Sequence, residues 1–338
     1  MRRAPREVSY LSKVLVTGCA GFIGFWLSKA LLDRGFEVVG IDNAVPYYDP
    51  ALKIGRLKAL GSLRGFRFLG GDVRDRGFLE GVFSSLGPFE AVYHLAAMAG
   101  VRFSRLRPDE YLSVNVLGTL NVLECARSFG GPKLVVASTS SVYAGSPLPF
   151  REEGALDRPL SPYAASKRSA EMFCFTYHHL YGLDVSVPRY FTVYGPWGRP
   201  DMSYFRMVHC ALSGRPFRLF GDGSQSRDFT YVEDVVEGTI LCSGLSGFNV
   251  VNLGSDRPVP LSEMISLVEG LTGRELRVER EGGDRSDVPA TWASLDRARE
   301  LLGWSPRTTL EEGMSRLVGW FSENWDWLSQ VDPWREGF

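Results

Sequence analysis

Short apolar runs alternate with segments of helical periodicity through the first half of the chain. KVLVT (13–17) predicts a strand, and FIGFWLSKALLDRG (22–35) an amphipathic helix that ends at Gly35. EVVGID (37–42), FRFLGG (66–71) and AVYHLAA (91–97) predict the next three strands. PDEYLSVNVLGTLNVLECARSFGG (108–131) predicts a long helix closed by a glycine pair. KLVVAS (133–138) is a fifth strand, YAASKRSAEMFCFTYHHLYG (163–182) another long helix, and DVSVPR (184–189) a sixth strand. Nearly all-apolar strands separated by helices point to an α/β fold with a doubly wound parallel sheet, covered on both faces. Beyond Gly195 the texture changes. Turn residues cluster in GPWGRPDMS and GDGSQSRD, strands become sparse and helices shorten. The expected division is residues 1–190 and 191–338, the second part forming a smaller C-terminal α/β lobe. FNVVNLG (248–254) predicts a strand that returns to the first sheet, so the lobes interleave. Two lobes suit a chain of 338 residues, which is long for one core.

Composition adds exclusions. Hydrophobic residues make up 44%, charged residues 23%, and the formal net charge is −1. Nothing global favours nucleic acid or an anionic membrane as partner. No apolar run has the length of a membrane-spanning helix, and the leader MRRAPREVSYLS lacks the apolar stretch of a signal peptide. The cysteines (Cys19, Cys125, Cys174, Cys210 and Cys242) are scattered, with no CxxC and no zinc-type spacing. Buried free thiols, no metal site and a reducing cytoplasm are expected. His178 and His179 lack a third ligand and read as packing residues. So do Trp292, Trp304, Trp320, Trp325, Trp327 and Trp334.

Gly18-Cys19-Ala20-Gly21-Phe22-Ile23-Gly24 follows a strand and opens a helix, the setting of a Rossmann-type dinucleotide-binding turn. Gly18 permits the tight turn, Gly21 the approach of a pyrophosphate, and Gly24 close packing of helix on sheet. The helix start favours the phosphate charge. Asp42, ending the second strand, is placed to accept the ribose hydroxyls of NAD and to repel the 2′-phosphate of NADP. No Arg or Lys follows it immediately, so NAD is the expected cofactor. Asp72, after the third strand, is placed to meet the adenine amino group.

The fifth strand ends in Ser138-Thr139-Ser140-Ser141, at the sheet end where ligands bind. Tyr163 and Lys167, four residues apart, share a helix face. An ammonium beside a phenol lowers its pKa from about 10, and Lys167 can also hold the nicotinamide ribose. Tyr163 is then a general base that removes a hydroxyl proton while hydride leaves the same carbon. Thr139 is placed to hydrogen-bond the same oxygen.

With HLAA (94–97), Asn115, PRYFTVYGPWGRPDM (188–202), QSRDFTYVEDVVEG (225–238) and LLGWSPRTTLEEG (301–313), these motifs resemble the extended short-chain dehydrogenase/reductases, the nucleotide-sugar epimerases and dehydratases. YYDPALK (47–53), AGVRFS (99–104), STSSVY (138–143) and FTVYGPWGRPDM (191–202) make the chain most similar to the UDP-glucuronate 4-epimerases. The resemblance implies an isomerase that interconverts UDP-glucuronic and UDP-galacturonic acid through a transient 4-ketone, with NAD tightly bound. For the cofactor it implies Phe22, Ile23, Asn43, Val73, Leu95, Ala96, Ala97, Asn115, Ser138 and Tyr190, beside Gly18, Gly21, Gly24, Asp42, Asp72, Tyr163 and Lys167. For the UDP-sugar it implies Arg102, Thr139, Ser140, Ser141, Tyr163, Thr192, Arg199, Phe217, Leu219, Arg227, Arg285 and Asp287. It also implies that residues 191–338 form the substrate-binding lobe for the UDP-sugar, and that the protein is a homodimer through helices 108–129 and 163–181.

Decarboxylating relatives carry Glu immediately before Val-Tyr, and 4,6-dehydratases an Asp-Glu pair beside the threonine. Ser140 and Ser141 here imply that the ketone is reduced again from its other face. A decarboxylase of the UDP-xylose synthase type, an epimerase of neutral UDP-sugars and a noncatalytic NAD(H) sensor stay open as alternatives. Two departures stand out. Ala144 replaces the glycine of Val-Tyr-Gly, and the stretch between Thr139 and Tyr163 is longer than in close relatives.

Overall fold

A computed structural model describes residues 12–154, 156–282 and 288–334. The first half runs β1 (Lys13–Thr17), α1 (Phe22–Asp33), β2 (Glu37–Asp42), α2 (Pro50–Gly61), β3 (Phe66–Gly70), α3 (Arg76–Leu86) and β4 (Ala91–His94). Next come α4 (Pro108–Tyr111), α5 (Gly118–Ser128), β5 (Lys133–Val136), β6 (Ser138–Thr139), α6 (Pro162–Tyr181) and β7 (Val185–Tyr190). The second half is β8 (Thr192–Tyr194), α7 (Ser203–Ser213), β9 (Phe217–Phe220), β10 (Ser226–Tyr231), α8 (Val232–Cys242) and β11 (Phe248–Leu253). It ends with β12 (Pro258–Pro260), α9 (Leu261–Thr272), β13 (Val278–Glu281), α10 (Asp296–Leu302), α11 (Leu310–Glu323) and α12 (Trp325–Leu328).

The main sheet has the order β11-β7-β5-β4-β1-β2-β3, and every pairing in it is parallel. The order reverses between β1 and β4, which opens a crevice at their carboxyl ends. Alternation along β1 winds the sheet doubly. Val14 and Val16 pack with Leu27 and Leu31 of α1 and Val235 of α8. Leu15 faces the other way, toward Val82 of α3, Val122 of α5 and Cys174 of α6. Each such buried aliphatic side chain stabilises the fold by roughly 1.5–3 kcal/mol. β12-β10-β8 and β13-β9 form two small sheets over a separate core that includes Phe205, Phe229, Met264 and Phe321. After Tyr190 the chain passes repeatedly between the two cores. α8, β11 and α10 pack into the first, while α7, α9 and α11 build the second.

Three departures from the periodicity have local causes. The helix expected over 108–131 contains a π-helical segment, Leu112–Leu117, between α4 and α5. The expected fifth strand breaks at Ala137, and β6 pairs with β7 through Ser138↔Arg189 and Thr139↔Tyr190. α2 and α3 were not signalled by the pattern; in α2 the buried positions include Lys53 and Arg56, which hide its apolar stripe. The five cysteines are buried and free. Trp304 is buried in the first core, while Trp320, Trp325, Trp327 and Trp334 pack against the second, where the Trp197 ring lies 5.3 Å from that of Trp320 and 5.7 Å from that of Trp327.

Candidate active site

The crevice holds a cleft of about 590 Å³ that runs from the β1 turn to the small sheets. At the turn, Gly18 has φ +76°, and a Cβ there would lie 2.7 Å from the Ala96 nitrogen. A Cβ at Gly24 would collide with the Gly18 carbonyl oxygen, so Gly24 lets α1 close on its own turn rather than on the sheet. His94 fixes the opposite wall. Its ring pairs with Thr17 Oγ1 at 2.7 Å and Thr119 Oγ1 at 3.1 Å, and Thr17 Oγ1 accepts from Ala96 N at 3.2 Å. Burial pulls the His94 pKa down to about 3, so the ring is neutral. α1 begins at Gly21 with no side-chain cap, and its first turn carries no acid. Those backbone N–H groups suit a phosphate.

Asp42 is buried at the end of β2 and accepts from Ala20 N (3.1 Å) and Ala44 N (2.8 Å). A lysine does stand beside it: Lys53 of α2 pairs with its Oδ1 at 3.5 Å. Asp72 also lines the cleft. Its carboxylate already accepts from Arg74 (2.9 and 2.6 Å) and Asn43 (2.9 Å), and these bonds hold its pKa at about 2. Asn43, Phe22, Ile23 and Val73 line the same end, as do Leu95, Ala96 and Ala97. The glycine cradle, the bare helix start and the β2 carboxylate fit a dinucleotide.

Midway along, Ser161 caps α6 by accepting from Ala164 N at 3.1 Å, and Gly182 ends it at φ +70°. That registration places Tyr163 and Lys167 on the cleft wall opposite Ser138, Thr139, Ser140 and Ser141. Thr139 lines the cleft with Tyr163, and its hydroxyl acts to lower the Tyr163 pKa. It also donates to Ser141 Oγ (3.2 Å) and accepts from Ser141 N (3.1 Å). In the protein alone the Tyr163 pKa is raised, against expectation. Burial dominates, and the Thr139 bond and Arg199 charge oppose it. Burial also draws Lys167 down to about 8. Behind this wall Ser138 donates to Glu171 at 2.5 Å, and Arg189 grips Glu171 at 2.9 and 2.7 Å, tying β6 and β7 to α6.

Asn115 is the clearest correction. Its side chain is buried outside the cleft lining, between Met98 N (2.8 Å), Met98 O (2.9 Å) and Ser166 Oγ (2.9 Å). It holds the β4 end against α6 from within the π-helical segment and is placed to position rather than to touch cofactor.

Residues 14–254 match the NAD dependent epimerase/dehydratase family. The chain belongs to this family. It is 46% identical over 318 residues to a UDP-glucuronate 4-epimerase of Thermodesulfobacterium geofontis, covering 94% of this chain and 98% of that one. The crystal structure of Bacillus cereus UDP-glucuronic acid 4-epimerase in complex with UDP-glucuronic acid and NAD is similar at TM-score 0.87 and 33% identity, covering 92% of this chain and 99% of the other. A Thermotoga maritima UDP-glucose 4-epimerase with UDP-glucose is similar at TM-score 0.86 and 31% identity, covering 93% and 99%.

In this epimerase-family chain the far end of the cleft is lined by Tyr190, Thr192, Phe217 and Leu219, and by Arg102, Arg199 and Arg227. Arg199 carries a partner that the sequence reading missed. Asp201 takes its Nε at 3.0 Å and Nη2 at 2.5 Å, while the guanidinium lies 5.5 Å from the centre of the Tyr47 ring. Arg102 stacks on Phe220 at 3.8 Å. Arg285 and Asp287 lie outside the described residues. Lys53, Tyr47 and Asp201 were missed although YYDPALK and GPWGRPDM contain them; only folding brings Lys53 to Asp42. Ala144 sits at φ −50°, and the next residue, Gly145, takes the positive φ of +91°.

Proposed function

We propose that this chain is a UDP-glucuronate 4-epimerase that keeps NAD bound through its cycle. The row of hydroxyls at Thr139, Ser140 and Ser141, facing Tyr163, carries this reading. Gly18, Gly21, Gly24 and Asp42 hold the dinucleotide, with Lys53 against Asp42. NAD supplies the acceptor that takes hydride from sugar C4 and returns it. Tyr163 removes the proton of the C4 hydroxyl, and Thr139 hydrogen-bonds the same oxygen. The Lys167 ammonium, one turn on, favours the phenolate and offsets the cost of its burial. Ser140, Ser141 and Thr192 donate to the sugar carboxylate without the repulsion a Glu would bring. Held in one orientation, the carboxylate stays out of line with the ketone π system, so carbon dioxide is retained. The sugar turns about its diphosphate tether, and Tyr163 returns the proton at the inverted centre.

The test is turnover of UDP-glucuronate by purified protein without added NAD, followed by NMR. UDP-galacturonate at constant total uronate is the expected result. Carbon dioxide with a pentose would replace this reading by the decarboxylase, and no turnover with intact bound NAD by the sensor. Equal turnover of UDP-glucose would point to a neutral-sugar epimerase.

Exposed Leu112, Leu117, Met172, Phe175 and Leu180 on the helices of 108–129 and 163–181 support a homodimer through those faces. The buried free thiols support a cytoplasmic setting. Among the described residues, no helix is long and apolar enough to cross a membrane.

A further inference from the structure

Arg206 of α7 lines the substrate end of the cleft, yet is only 7% exposed. Its Nε donates to the Pro333 carbonyl at 2.9 Å, and its guanidinium carbon lies 4.1 Å from the centre of the Trp334 ring. Its Nη2 is buried with no hydrogen-bond partner. Asp201, the acid that acts on it most strongly, is already occupied by the two-pronged bond from Arg199. Burial, with help from the Arg102 charge, pulls the Arg206 pKa down to about 10. A buried cation without a paired anion is costly to hold. Here the fold holds it from behind, using a segment that follows the last helix.

An arginine fork fits phosphate oxygens, and charge-assisted bonds of this kind are the strong ones. Arg102 and Arg227 line the same end of the cleft. We propose that Arg206 binds the diphosphate of the nucleotide sugar, and that Pro333 and Trp334 hold it in readiness for that anion. The inference rests on the nucleotide-sugar reading above. An entering diphosphate that draws the guanidinium toward the cleft supplies the acceptor that Nη2 lacks, so the cost held in the free protein is relieved on binding.

Calorimetric titration of the NAD-loaded protein with UDP and with uridine tests this. Arg206→Met is expected to weaken UDP by about 10- to 100-fold, the loss of one charge-assisted contact, and to leave uridine within about twofold. Its Tm is expected to hold or rise, because an unpaired buried charge is gone. A UDP-to-uridine ratio that changes less than about fivefold overturns the proposal, whether both affinities hold or both fall. Should the Met variant fail to fold, Arg206→Lys serves instead: a UDP-specific loss supports the inference, and an equal loss of both ligands sinks it. Failure of the parent protein to bind UDP would remove the nucleotide-sugar reading itself, a result distinct from an unchanged variant.

Discussion

Ser141 stands where one carboxylate would alter the product. Its hydroxyl is tied to Thr139, which acts to lower the Tyr163 pKa, so a change there acts beside the proton-handling group. A glutamate would repel the sugar carboxylate and add a base beside the 4-ketone. Ser141→Glu is expected to cut 4-epimerisation by about tenfold or more, roughly 1.4 kcal/mol of barrier, and to raise pentose and carbon dioxide. Carbon-13 NMR of labelled UDP-glucuronate measures both, and an unchanged product ratio would refute the role given to this strand end. Residues of this kind were legible because their chemistry is written at local spacing: GxxGxxG, four hydroxyl residues in a row, Tyr and Lys one turn apart. Lys53 and Arg206 were not, since their meaning depends on partners brought by folding. Arg206 meets Pro333 across 127 positions. Asn115 was assigned to the cofactor because the resemblance names a position, whereas contact depends on which way the side chain turns.

The inner strands β1, β2, β4, β5 and β7 could be read because both faces are buried, which leaves continuous apolar runs. β8, β9, β12 and β13 are three or four residues long, and β13 is largely exposed, so no run announces them. The end of β4 permits a prediction. His94 has a folded pKa of about 3 against a reference of 6.5, since burial disfavours its charged form. Between those values the unfolded chain binds the proton and the folded chain does not. Stability therefore falls as pH drops from 6.5 toward 3, by about 1.4 kcal/mol for each pH unit from this group. Urea unfolding at pH 6.5 and pH 5 should show a loss in the parent that exceeds the loss in His94→Gln by about 2 kcal/mol. Equal losses would mean that His94 does not carry the effect. Because His94 braces Thr17 and Ala96, acid should release NAD in the same range.

At the scale of the molecule, the π-helical segment Leu112–Leu117 and α6 expose the apolar side chains on which the proposed homodimer rests. In that proposed dimer Leu117, Met172 and Phe175 would leave water. Leu117→Glu with Met172→Glu should convert a dimer to a monomer by light scattering, since buried unpaired acids in such a face cost several kcal/mol, on the order of the values for unpaired buried charges. A parent protein that is already monomeric would dismiss the proposal. The change of texture after Gly195 says nothing of how often the chain passes between the two cores. α8 and α10 carry helical patterns that say nothing of which core receives them.

That stitching has a further consequence. β7 needs β11 beside it, and β11 comes only after β8, β9 and β10 have been laid down. A fragment that stops near residue 195 would leave β7 as a bare edge, an invitation to aggregate. The part of the chain that builds the second core is therefore no cassette. It cannot be lifted out and traded for another, as an appended domain can. In a protein built this way, a change of sugar must be inherited one cleft side chain at a time, with the dinucleotide grip carried along unchanged.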